Sequence, residues 1–331
     1  MKNRREFMKQ TAAGALLLGA ESKSIFAGKP GKAADAGKSK VIVARDPELR
    51  NNSNELIEPR LNALLDRAVA AYTGQSRPVN AWKQIVGNAK VVGIKTNGLG
   101  GKGISSHAVL VFAIANRLQQ AGIQPGNIII WDRNARDLQA CGFTINTDAT
   151  RVRCFGSDVA GYEDQTESWG TARARLSKIL TRDCDMVIGV PILKDHSGAG
   201  VTFAMKNMYG VVERPQDLHA GGCCPGVADL NCIPAIRDKV RFTIGDALSS
   251  VYDGGPGFHP ERLWFPNALI VGEDRVALDQ TAWQMIERKR AEAGLKTLEA
   301  AGRPPRYIAV AADAAHGLGA NDPAKIAVHE V

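Results

Sequence analysis

The chain has 331 residues, 44% hydrophobic and 6% aromatic, enough for one large α/β domain or two small ones, and its composition is not that of a membrane protein. Its net charge of +8 is concentrated: residues 1–50 hold 11 Lys or Arg against 5 Asp or Glu. The remainder is close to neutral, which argues against a basic nucleic-acid face.

Residues 1–27 read as a targeting segment. Asn3-Arg4-Arg5-Glu6-Phe7-Met8-Lys9 resembles the twin-arginine export motif, with Asn where Ser or Thr is commoner. The apolar run over 12–20 is too short to span a bilayer. A signal peptide ending near Ala27 is expected, with the twin-arginine translocation machinery as partner and a periplasmic or secreted destination. Residues 28–40 lack core-forming side chains and read as a flexible linker. That leaves 41–331 as a single α/β domain, with no integral membrane segment expected.

A short strand is predicted over 41–44 and a helix within 54–73, where Leu56, Ile57, Leu61, Leu64, Leu65, Ala68 and Val69 keep helical spacing. A buried strand over 91–94 leads into Lys95-Thr96-Asn97 and a glycine loop, then a helix over 107–120 and a strand over 128–131 ending in Asp132. This is a βαβ unit. Gly98, Gly100 and Gly103 formally match G-x-G-x-x-G. Three polar residues separate strand from glycine, however, and Asp132 lies further on than a ribose-binding acid would. A plain glycine loop, or a ligand loop using Lys95, Asn97 and Lys102, competes with the dinucleotide reading.

A helix is predicted within 169–180. The stretch 186–193 is apolar, rich in branched residues and read as a strand buried on both faces. It runs into Lys194-Asp195-His196-Ser197 and the turn-forming Gly198 and Gly200. From Val201 the spacing reads as helical, and that helix carries Lys206 and Asn207. Further on come a helix over 228–240, a strand over 242–244 ending at Asp246, a glycine-rich loop over 251–259 and a strand over 269–271. Asp274 is placed to cap a long helix, and 308–311 reads as a last strand. The alternation argues a mainly parallel, Rossmann-like sheet with helices on both faces and loop insertions.

K-x-H, a glycine-bearing turn and K-N-x-x-G, here Lys194, His196, Lys206, Asn207 and Gly210, resemble the signature of the family called domain of unknown function 362. Residues 91–97, 245–261 and 272–286 extend the resemblance, which covers roughly 90–320. It implies a fold and a site more than a reaction. Some family members are iron–sulfur proteins with a ferredoxin-type cysteine run, and this chain has no such run.

Ligands of open parallel sheets bind beyond the carboxyl ends of the strands. Lys194, His196 and Lys206 are therefore the candidate catalytic residues. Lys95, Asn97, Asn207, Asp246 and Asp253 are the candidate ligand-binding residues. Two lysines, an asparagine and glycine N–H groups suit a small anionic ligand, a carboxylate or phosphate. His196, His219, Cys223, Cys224 and His259 are donor types for a transition metal or an iron–sulfur cluster. No C-x-x-C pair and no H-E-x-x-H fixes such a site, and no G-x-S-x-G elbow supports an α/β-hydrolase. In an oxidising compartment a disulfide involving Cys223, Cys224 or Cys232 is expected. Three functions stay open: a cofactor-dependent enzyme of redox type, a non-catalytic ligand- or metal-binding or maturation protein, and a metal-assisted hydrolase or transferase.

Overall fold

The structure, a computed structural model, describes residues 37–331 apart from Lys102. The targeting segment, most of the linker and Lys102 lie outside the described residues.

Eight strands build the central sheet: β1 (Ser39–Arg45), β2 (Val92–Lys95), β3 (Ile128–Asp132), β4 (Arg153–Gly156), β5 (Met186–Gly189), β6 (Val240–Ala247), β7 (Ala268–Gly272) and β8 (Ile326–Glu330). Their order across the sheet is β8-β1-β7-β6-β5-β2-β3-β4. The run from β4 to β6 is parallel throughout. β7 is antiparallel to both β6 and β1, and β8 is parallel to β1, so β7 alone of the eight runs against the rest. The mainly parallel α/β fold is the one that the alternating pattern predicts.

Both faces of the sheet are buried because successive side chains point to opposite sides. Val92, Ile94, Ile128, Ile130, Met186 and Ile188 pack with Leu61, Leu64, Trp82 and Ile114 on one face. Ile129, Trp131 and Val187 pack on the other with Met205, Leu230 and Tyr307. Helices Glu58–Thr73, Pro78–Val86 and Ala108–Gln120 supply the first layer. Asp274 caps helix Arg275–Glu292, its Oδ1 accepting the N–H groups of Val276 and Ala277 at 2.9 and 3.0 Å.

Local structure departs from the sequence reading in several places; the helix expected over 228–240, for one, is two helices, Gly226–Cys232 and Pro234–Lys239, and Val240 starts β6. Residues 308–311 lie in helix Tyr307–Ala311, and the last strand is Ile326–Glu330. The expected helix within 169–180 is a hairpin, Glu167–Trp169 with Ala172–Ala174, followed by a π-turn over Ile179–Asp183. Val201 lies in a strand: Lys194–His196 and Gly200–Thr202 form a hairpin, and a helical turn begins only at Lys206–Val211. Gly200 closes this hairpin at φ 74°, and a Cβ there would meet the Arg303 carbonyl at 2.6 Å. Its left-handed backbone and this tight approach both demand glycine.

Candidate functional site

The hairpin after β5 sorts its side chains by alternation. Lys194 pairs in register with Thr202 and His196 with Gly200. Lys194, His196 and Thr202 line one open cavity at the carboxyl ends of β2, β3 and β5, while Asp195 points away from it. Lys95, Asn97, Asp132, Arg133, Asp137, Lys206, Asn207 and His219 add to its polar wall. The cavity opens to solvent at the strand ends, where ligands of parallel sheets bind.

Lys95 ends β2 and is buried. Its Nζ donates to Asp132 Oδ1 at 2.5 Å and to the Thr96 carbonyl at 2.6 Å, and Asn207 Nδ2 donates to the Lys95 carbonyl at 3.1 Å. Burial lowers the Lys95 pKa, and the Asp132 carboxylate only partly offsets this. Gly210 lies against this pair, and a Cβ there would overlap Asp132 Oδ1 and the Lys95 ammonium. The glycine of K-N-x-x-G is thus fixed by an ion pair that the sequence does not reveal.

Lys194 and Lys206 are buried without a carboxylate partner among the described residues. Lys194 Nζ donates to the carbonyls of Leu99 at 2.7 Å and Ile104 at 3.1 Å, both on the glycine loop after β2. Burial brings its pKa down to about 8; the Asp132 charge resists the fall and the Lys206 charge adds to it. Lys206 Nζ lies 4.0 Å from the Tyr209 ring centre, within cation–π range, and 3.4 Å from His219 Nε2. Burial lowers its pKa too, with the Cys223 thiol acting in the other direction.

Both histidines have their tautomers set by the backbone. His196 Nδ1 accepts the N–H groups of Gly198 at 3.0 Å and Ala199 at 3.1 Å, so its proton sits on Nε2. Burial, then Lys206, His219 and Lys194, push its pKa down to about 3, which keeps the ring a neutral donor at ordinary pH. His219 Nδ1 donates to the Pro215 carbonyl at 2.8 Å, leaving Nε2 as an acceptor toward Lys206. The two rings stack with centroids 6.1 Å apart. The buried Thr202 hydroxyl and Asn97 Oδ1 have no hydrogen-bond partner among the described residues.

Lys206 and Asn207 reach the cavity because a second buried acid holds their segment. Asp279 accepts from Ala204 N at 2.6 Å and Met205 N at 3.3 Å, and the Tyr307 hydroxyl donates to it at 3.0 Å. Burial pushes the Asp279 pKa up to about 7.

The cavity therefore gathers Lys95, Asn97, Lys194, His196, Lys206, Asn207 and His219, with Cys223 behind Lys206. Asp246 is buried elsewhere, bound to His107 and to Leu248 N. Asp253 is held by Arg290 at 2.5 Å and Arg303 at 2.7 Å. His259 pairs with Glu261 at 3.2 Å in an exposed loop and Cys224 is half-buried; neither is among the lining residues. Among the described residues no three His, Cys, Asp or Glu side chains are arranged to hold a metal ion. The expected disulfide is not formed: all six cysteines are free thiols, and Cys223 is turned toward Lys206. Asp132, weighed in the sequence as a strand end and as too distant for a ribose-binding acid, is the partner of Lys95, and Thr202, Tyr209, Arg133 and Asp137 are wall residues that motif spacing does not single out. Among the described residues no helix is long and apolar enough to cross a membrane.

No curated protein matches the chain. Among solved structures it is similar to a crystal structure of a Thermotoga maritima protein from a structural genomics consortium. Identity is 12%, the TM-score is 0.45, and the match covers 71% of this chain and 59% of that one. A family model described as Domain of unknown function (DUF362) matches residues 92–284, and the chain belongs to that family.

Proposed function

We propose that this DUF362 chain binds a small anion, a carboxylate or phosphate group, at the Lys194–Lys206 cavity and acts on it by acid–base chemistry. One observation carries the reading: two buried ammonium groups line one cavity, and neither has a carboxylate partner among the described residues. A buried charge is costly unless paired, and a bound anion supplies the pairing. His196 Nε2–H and the Thr202 hydroxyl add neutral donors to the same wall. Lys194, at about 8, can exchange a proton with a bound ligand near neutral pH, the enzymatic form of this reading. The cavity's own side chains favour proton transfer over the redox chemistry expected from the sequence. Calorimetric titration with inorganic phosphate and with malonate tests the proposal. One of them is expected to bind at a single site, with affinity lowered roughly 10- to 150-fold in Lys206→Met. If neither anion binds the wild type, or Lys206→Met binds as well as wild type, the reading fails.

Export is proposed on the same footing, from Arg4, Arg5, Phe7 and Lys9. Replacing both arginines by Lys is expected to abolish the periplasmic fraction of the protein. An unchanged fraction would remove export from the account.

A further inference from the structure

Asp246, Ser249 and His107 come from separate parts of the chain and meet away from the anion cavity. Asp246 lies in β6, Ser249 in the turn just beyond it, and His107 at the N-terminus of helix Ala108–Gln120. Asp246 is fully buried, and its carboxylate accepts the His107 N–H at 2.8 Å and the Leu248 N–H at 3.1 Å. The same carboxylate meets His107 Nδ1 at 2.9 and 3.1 Å. A carboxylate oxygen only accepts, so the imidazole proton sits on Nδ1 and the lone pair on Nε2. Nε2 faces Ser249 Oγ at 3.3 Å. The order is hydroxyl, imidazole, buried carboxylate, with the imidazole in the tautomer that accepts the hydroxyl proton.

We propose that Ser249, His107 and Asp246 form a second, nucleophilic site that takes a small ester or other activated acyl group. Such a relay is recognised by geometry and roles rather than sequence order, so the lack of a G-x-S-x-G elbow does not count against it. The 3.3 Å separation is within the looser range of unliganded sites. Ser249 Oγ attacks the acyl carbon while its proton passes to His107 Nε2. The carbonyl then re-forms, the C–O bond to the alcohol breaks, and the departing oxygen takes that proton. Water hydrolyses the acyl-serine by the same route, so an ester and water give an acid and an alcohol with no other reactant. Asp246 touches no substrate; it is a positioning residue that holds the His107 tautomer and steadies the imidazolium. The His107 side chain is 18% exposed, while Ser249 is almost covered, which restricts the site to small acyl groups.

The test is labelling of the folded, full-length protein with methanesulfonyl fluoride, a small serine-directed reagent, together with p-nitrophenyl acetate hydrolysis. One adduct is expected, mapped to Ser249 rather than Ser250. Ser249→Ala should lose both adduct and hydrolysis while keeping the wild-type urea midpoint, and His107→Gln should slow both at least about 100-fold. If Asp246→Asn fails to fold, as loss of a buried carboxylate that accepts two backbone N–H groups allows, the His107→Gln rate still decides. An unlabelled wild type, an adduct elsewhere, or an unchanged His107→Gln rate would overturn the proposal.

Discussion

Two groups of cations flank the Lys194–His196 hairpin, and they are satisfied in opposite ways. Behind it, Arg303 spans Asp195 and Asp253, and Arg290 joins Asp253 at 2.5 Å and the Tyr252 carbonyl at 3.1 Å. Burial alone would raise the Asp253 pKa, but Arg290 and Arg303 together hold it below its ordinary value. In front, Lys194 and Lys206 make do with carbonyls, an aromatic face and a neutral imidazole. The difference follows from one residue of alternation: Asp195 faces the arginines, and its two neighbours face the cavity. Arg290 and Arg303 have carboxylates of their own, whereas Lys194 and Lys206 have none among the described residues, and that leaves these two lysines open to the proposed anion.

The largest loss of stability is expected on the arginine side. Arg303→Met leaves Asp195 buried with only the Gly255 N–H, at 2.9 Å, still donating to its carboxylate. Unpairing a buried charge costs about 3–5 kcal/mol. Urea unfolding is expected to show a loss of that size, and a loss under about 1 kcal/mol would reduce the network to ornament on the surface.

A smaller effect is expected where scaffold and site meet. Gly210→Ala pushes a methyl group into the Lys95–Asp132 pair, and overpacking of this kind costs about 1–3 kcal/mol. Thermal unfolding should drop and phosphate affinity should fall with it. A stable Gly210→Ala with full affinity would mean that the 206–211 turn moves aside freely.

The pH response of Asp279 is smaller again. Its folded pKa of about 7 lies above the ordinary 3.8, so its protonated form favours the native state. That contribution is complete below pH about 4 and is lost as pH rises through 7. The melting temperature of wild type minus that of Asp279→Asn should therefore fall between those values and level off above them. A difference independent of pH would show that Asp279 titrates alike in the folded and unfolded chain.

These same residues mark what the sequence could and could not say. Continuous apolar strands such as 92–95, 128–132 and 186–189 announce a sheet covered on both faces, and Lys194, His196, Lys206 and Asn207 announce a cluster at its edge. Short apolar runs do not distinguish strand from helix, which is why 308–311 reads as a strand and folds as a helix. The edge strand Ile326–Glu330 goes unseen because it carries polar residues and is buried on one face only in part. Asp246 near the end of β6 and Asp253 beyond it are placed much as Lys194 is after β5, so spacing alone puts them in the same site. Their partners His107, Arg290 and Arg303 lie at sequence separations of 139, 37 and 50 residues, beyond any local pattern.

If Lys206 is kept unpaired for an anion, urea unfolding of wild type and Lys206→Met, each with and without phosphate, will show it. Without phosphate the two proteins should be equally stable within about 1 kcal/mol, since Met keeps the apolar stem and removes an unpaired buried charge. With phosphate at 100 times its Kd the wild type should gain about 2.7 kcal/mol, and Lys206→Met only a small part of that. A Lys206→Met protein that loses several kcal/mol without phosphate, or gains as much from phosphate as wild type, would contradict the account.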